Sequence, residues 1–333
     1  LGNAAELVIT RDEKKSKYFA SSNVLTIQFL ADNIGLSLPG AISMSVSGEQ
    51  VVTAGLPNFI RLSGTAEQVA DKLGPLADLV GTWFGNRGFN LIAVPEGANG
   101  FRLLINPIVE TITFTPIGAD VPNRGGAAGT QKIPGLHYDI RVADSETNTP
   151  LHIENGMWLL LTDPLNPQDQ KVARLASVPH GDSVLCVGSF SEVAGPPPIS
   201  ARSAMPDTGQ PVRLGYLDPY SHPLPPGFIP SDYTQGLVDL LKTQTVRKTT
   251  TLDVSTVPDG GIVNIPFIQK NVDLKEFFSV LWIEVVENPN DPGQTFDQLQ
   301  YAQQADLHFL PRFDDPTKLI CWPHVTINTL VKQ

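Results

Sequence analysis

The stretch VARLASVPHGDSVLCVGSF, Val172 to Phe190, decides how this chain is read. Two runs of small, branched and apolar residues flank Pro179-His180-Gly181-Asp182, a set of turn formers too short to hold a helix. Extended segments joined so closely run antiparallel, because a parallel crossover needs a dozen residues or more. The same pattern continues on both sides. Phe101 to Ile105, Glu110 to Thr115, Leu136 to Ala143 and Met157 to Leu161 precede the hairpin as candidate strands. Val246 to Thr256, Ile262 to Ile265, Phe277 to Glu287, Gln298 to Phe309 and His324 to Val331 follow it. The 29 prolines and 28 glycines are spread between these segments instead of forming one linker. The expected fold is mainly β: an antiparallel up-and-down barrel with few short helices and long proline-rich loops.

Helical signals are sparse. Thr65 is placed to cap a short helix through Leu73, and Pro75 to Val80 adds a turn. Ser231 to Lys242 sets Leu237, Leu240 and Leu241 on one side and is expected to plug or cover one end of the barrel. Between the two strand sets, Ala194 to Pro230 is dense in proline and reads as extended loop, either wrapping the surface or forming a lid. Residues 1–69 read as an N-terminal arm packed on the barrel. Residues 70–333 read as one barrel domain with the proline-rich excursion at about 194–230.

Charge narrows the partners. With 23 basic and 34 acidic residues the net charge is −11, which repels phosphate backbones and anionic lipid heads, so no nucleic acid is expected. Val24 to Val46 is lightly charged, but Asp32, Asn33 and Pro39 disqualify it as a bilayer helix, and no membrane insertion is expected. Cys186 and Cys321 read as two free thiols. The chain reads as soluble and leans to the cytoplasm, while Leu1 in place of Met suggests a processed start that leaves the compartment open. The oligomeric state stays open.

Four short motifs carry whatever chemistry the chain has. Gly81-Thr82-Trp83-Phe84-Gly85-Asn86-Arg87-Gly88 opens a strand, with glycines for tight entry and an indole to close the barrel end while its N–H finds an acceptor. Pro150-Leu151-His152-Ile153-Glu154-Asn155-Gly156-Met157-Trp158 puts His152 and Glu154 on one face of an extended chain, able to share a hydrogen bond or a metal. His180 sits in the turn quoted above, where Gly181 and Asp182 offer local hydrogen bonds. Cys321-Trp322-Pro323-His324-Val325 places a histidine at the start of the final strand. Each has a plain structural reading: Trp83 and Trp158 as core, His152 with Glu154 as a structural pair, His180 as a turn residue and His324 as a strand cap.

In this order, the motifs resemble the nitrobindin group of haem-binding barrels, which are related in shape to lipocalins and fatty-acid-binding proteins. The likeness covers about residues 75–190 and 245–331, and the intervening excursion is one that a minimal member lacks. That family's pattern is G-x-W-x-G-x-G; Gly81, Trp83 and Gly85 match it, and one residue is inserted before Gly88. The P-H-G-D-S turn and the terminal W-P-H-V strand also resemble a group of longer barrel proteins. The resemblance implies haem b as cofactor and His324 as the axial iron ligand, with Trp83 and Trp158 walling the site. It further implies binding or transformation of a peroxide, nitric oxide or peroxynitrite, for which His180 or His152 could serve as the distal acid or base.

Two other readings stand beside it. A cofactor-free barrel could hold a fatty acid or another apolar small molecule, with Arg87, Arg141 or Arg174 meeting a carboxylate. A mononuclear non-haem metal enzyme could use His152, Glu154 and His180 as two histidines and a carboxylate. The sequence contains no G-x-S-x-G elbow, P-loop, dinucleotide glycine fingerprint or H-E-x-x-H helix.

Overall fold

The structure, a computed structural model, describes residues 71–97, 100–118, 121–178, 181–209, 215–221 and 224–333. The expected N-terminal arm lies outside the described residues, as do His180, His222 and all but residues 71–73 of the first expected helix.

Ten antiparallel strands close into a barrel: β1 (Gly81–Glu96), β2 (Gly100–Pro116), β5 (Gly135–Asp144), β6 (Pro150–Thr162), β7 (Gln170–Val178), β8 (Asp182–Ala194), β9 (Val246–Ser255), β11 (Asp273–Glu287), β12 (Thr295–Pro311) and β13 (Leu319–Lys332). Each pairs with the next in this order, and β13 returns to β1, so no edge is left along the main sheet. A small hairpin, β3 (Val121–Arg124) with β4 (Thr130–Ile133), stands apart, and β10 (Gly261–Asn264) pairs on the end of β8. The mainly-β up-and-down barrel expected from the alternation is the fold observed.

Interior and exterior alternate along each strand. On β11, Leu281 and Ile283 join a core that also contains Trp83, Ile112, Tyr138, Trp158, Val172, Leu252 and Leu330, drawn from strands around the whole barrel. Their neighbours Val280 and Trp282 belong to a second core on the outer face. That outer core is completed by Ala204, Tyr220, Phe228, Tyr233 and Leu237. The proline-rich excursion therefore wraps the outside of β1, β11, β12 and β13 and is not a lid.

Several local expectations are corrected. The helix expected at 231–242 is a 3-10 turn followed by α1 (Gln235–Leu241), and it packs Leu237 on the outer core instead of plugging the barrel. The plug is the 3-10 segment Gly74–Leu79, whose Leu76 and Leu79 are fully buried beneath Trp83. The Trp83 indole N–H donates to the Leu79 carbonyl at 2.7 Å, the acceptor that its role requires.

Two of the expected strand boundaries fall inside continuous strands, each beside a proline. Phe101 to Ile105 and Glu110 to Thr115 are one strand through Pro107, and His324 is not at the start of β13 but its sixth residue, after Pro323. In both cases the ladder on one side has already ended. The β2–β5 pairing begins at Ile108 and the β1–β13 pairing stops at Val325, so each proline N lacks a partner strand where its missing N–H would be needed.

The residue inserted into the glycine pattern of β1 appears as a bulge: Gly85 faces Glu110 but Gly88 faces Ile108, three steps against two. Gly85 and Gly88 also admit β13, since a methyl group at either would run into the backbone carbonyl of Thr329 or Ile327.

Candidate functional site

A cavity of about 410 Å³ opens at the end of the barrel away from Trp83. Its size falls within the roughly 300–1,000 Å³ usual for small-molecule sites. The wall comes from Ile92 to Pro95 of β1, Val184 of β8, Leu274 and Phe277 of β11, and Ala305 and Leu307 of β12. The mouth is flanked by α2 (Pro266–Asn271), a short helix the sequence reading missed, which contributes Phe267, Ile268 and Asn271. Four ionisable side chains enter this apolar surround: His152, Glu154, Asp182 and His324. Two of the three histidines singled out from the sequence, His152 and His324, thus share one chamber, although 172 positions separate them.

His324 borders the cavity just beyond Leu91–Val325, the last pair between β1 and β13. Its Nε2 lies 3.0 Å from Oδ1 of Asn90 on β1, and Thr326 donates its hydroxyl to the same oxygen at 3.0 Å. An amide oxygen only accepts, so Nε2 donates in this contact.

His152 is one-fifth exposed, and its Nε2 is 3.3 Å from Oε2 of the fully buried Glu154. On the extended β6 both side chains share a face, as the spacing predicted. The other carboxylate oxygen of Glu154 accepts from Arg174 Nη2 at 2.5 Å and from the Tyr138 hydroxyl. Arg174 also donates from Nε to Tyr138 at 3.1 Å and from Nη1 to Gln303 at 3.2 Å. Burial by itself would raise the Glu154 pKa, but the Arg174 charge and the His152 and Tyr138 hydrogen bonds overcome it, and the carboxyl is held down at about 2. Glu154 is therefore an anion, and its charge is spent on the guanidinium beneath it.

Asp182, the first residue of β8, turns a buried Oδ1 with no hydrogen-bond partner toward this region, and burial raises its pKa. Trp158 and Trp83 are not among the residues lining the cavity. Trp158 borders a separate void of about 20 Å³ deeper in the barrel, with Tyr138, Arg174, Tyr301 and Gln303. Trp83 closes the far end. His137 is exposed.

The rival arrangements find less. Arg87 is exposed, Arg141 is exposed and pairs with Asp139, and Arg174 is committed to Glu154, so none of them lines the cavity. Among the described residues no three His, Cys, Asp or Glu side chains converge as a metal site.

Three functional neighbours escaped the sequence reading: Asn90, Arg174 as a buried ion, and Tyr138. Arg174 carried a signal, because Val172, Arg174 and Ala176 alternate on one face and a charge between two core positions needs a buried partner. Asn90 carried none, since its partner lies 234 residues away.

The residues present fit a haem group. His324 borders an apolar chamber with an amide on the neighbouring strand backing its ring, and imidazole is a donor that haem iron takes from proteins.

Comparison with known proteins agrees in kind. Residues 72–196 match the THAP4-like, heme-binding beta-barrel domain, the nitrobindin-like family named by the motifs. The match runs from before β1 to just past β8 and ends before His324. Among solved structures, the crystal structure of Rv2717c from M. tuberculosis is 16% identical, with 81% of this chain and 99% of that chain covered at a TM-score of 0.40. No curated protein matches. Among the described residues no helix is long and apolar enough to cross a membrane.

Proposed function

We propose that this chain, matched over residues 72–196 by a haem-binding barrel family, binds haem b in the 410 Å³ cavity with His324 as the iron ligand. The observation that carries the reading is that His324, held by Asn90 of the neighbouring strand, lines an apolar chamber. Cys186 and Cys321 do not line the cavity, and burial pushes their thiols up to about 11 and about 12, which favours a haem held without thioether bonds. Bound haem would supply an iron centre for a peroxide, nitric oxide or peroxynitrite. The chain's own residues then divide the work. The aliphatic wall excludes water, Asn90 orients His324, and Glu154 holds the His152 ring where it can give or take a proton at the chamber.

The test is haemin titration followed by absorption. One equivalent per chain should produce a sharp porphyrin band, His324→Ala should lose it, and His324→Gly should regain it with added imidazole. Unchanged binding by His324→Ala overturns the reading. Displacement of a fluorescent fatty acid with no response to haemin would instead support a cofactor-free apolar-ligand barrel.

A further inference from the structure

The helix at the mouth of the cavity is held by little. None of the 6 residues of α2 is buried. Among the described residues, the hydrogen bonds of residues 266–271 stay within 264–272. The Gln269 side-chain amide donates to the Asn264 carbonyl at 3.1 Å, the Asn271 side-chain amide to the Phe267 carbonyl at 2.8 Å, and the Val272 N–H to the Ile268 carbonyl at 2.9 Å. So short a helix is not stable on its own hydrogen bonds, and it lacks the buried face that normally holds a helix in place.

Both flanks are lightly tied as well. β10, which leads into α2, is an edge strand of 4 residues paired only with β8. On the far side, β11 pairs with β12 from Asp273, slips register between Leu274 and Phe277, and meets β9 only from Phe278. The first residues of β11 therefore border the cavity without a β9 partner beside them. Segments with so few buried contacts open at the least cost in free energy, and lids are drawn from them.

Phe267 shows what such a movement accomplishes. Its side chain lines the chamber and yet is 71% exposed, and it joins none of the apolar cores of the described residues. Ile268 and Asn271, one and four positions further on, line the same chamber, so this side of the helix already faces inward. An aromatic ring left in water at the rim of an apolar cavity gains by covering a ligand, because both apolar surfaces then leave water.

We propose that α2 is a lid and that Phe267 is the ligand-contacting residue it lowers onto the apolar body of the bound molecule. The end of β10 and the slipped start of β11 are its hinges. Closure covers the part of the ligand that the barrel wall leaves in water, so Phe267 sets residence time more than entry. The lid rests on the proposed binding of an apolar ligand in this cavity, but not on iron ligation by His324.

The experiment uses the full chain with haemin. Saturating haemin should slow amide hydrogen exchange across residues 265–272 in the parent and leave it fast in Phe267→Ala. Mixed with an excess of a haem-scavenging apoglobin, loaded Phe267→Ala should release haemin about tenfold or more faster than the parent, the order expected for uncovering an aromatic ring. Its association rate and porphyrin band should be unchanged, and Phe267→Leu should recover part of the retention. Val263→Ala alters a side chain 72% exposed on β10 that does not line the cavity, and it should release haemin as the parent does. Exchange that ignores the ligand, or equal release from Phe267→Ala and the parent, overturns the lid. A parent with no porphyrin band loses the haem reading alone, and the same two measurements are then made with a fluorescent fatty acid. Slowed exchange and Phe267-dependent release of that probe retain the lid, and a chamber that takes neither probe overturns both readings.

Discussion

The Asn90 side-chain oxygen sits 3.0 Å from Nε2 of His324, joining the first strand of the barrel to the last. Partners of this kind typically account for about 10–100-fold in metal affinity. Asn90→Ala should weaken haemin binding by about tenfold or more while leaving the fold intact, because Thr326 and water can take over the local polar contacts. The check is a haemin titration of the variant beside a near-ultraviolet spectrum of its fold. Equal affinity in both proteins would mean that the amide does not orient the ligand.

Stability should be greatest in mildly acidic solution. Burial raises Glu110 from 4.5 to about 7, against its bonds from Asn328 and Tyr301, and raises Glu284 from 4.5 to about 8, against its bond from Gln298. The folded chain holds these protons more tightly than the unfolded one. Their contribution is thus complete below about pH 4.5 and is lost as pH rises through 7 and 8. Glu154 runs the other way: its contribution is present above 4.5 and is lost as pH falls toward 2. Urea denaturation across pH should give a maximum near 4.5 and a decline toward 8 on the order of a few kcal/mol. Glu110→Gln and Glu284→Gln should each flatten part of that decline.

Arg174→Met keeps the length of the side chain and removes its charge, leaving Glu154 buried without its cation. Breaking such a pair costs about 3–5 kcal/mol. Equilibrium denaturation near neutral pH should register that loss, and adding Glu154→Gln should recover part of it. A single variant as stable as the parent would show that the pair is not a determinant of stability.

At Gly85 a methyl group would meet the Thr329 carbonyl and the Leu330 side chain. Gly85→Ala should destabilise by about 1–3 kcal/mol through overpacking between β1 and β13. Ala at the exposed, solvent-facing Gly261 has open space around it and serves as the control in the same thermal melts.

Much of the architecture was legible in the residues because alternation is local. Val172 to Phe190 announces two strands and a turn, and both strands stand where expected, as β7 and β8. The misreadings fell where a local rule met a neighbour it could not see. Pro107 and Pro323 break a strand only if both flanking ladders continue, and the register decides that. Leu237, Leu240 and Leu241 announce a helix with an apolar side but not which face of the sheet it covers.

The sequence by itself determined the strand grammar, the net negative charge, and the histidines worth attention, because residue type and spacing along the chain carry that information. Tertiary structure alone decided that His152 and His324 face one chamber, that Asn90 backs the imidazole, and that Glu154 rather than Glu110 takes the buried Arg174. Those outcomes follow from barrel closure. It sets strands from opposite ends of the chain side by side in a low-dielectric interior, where a hydrogen bond or a shared charge depends on distance in space and not on separation in sequence.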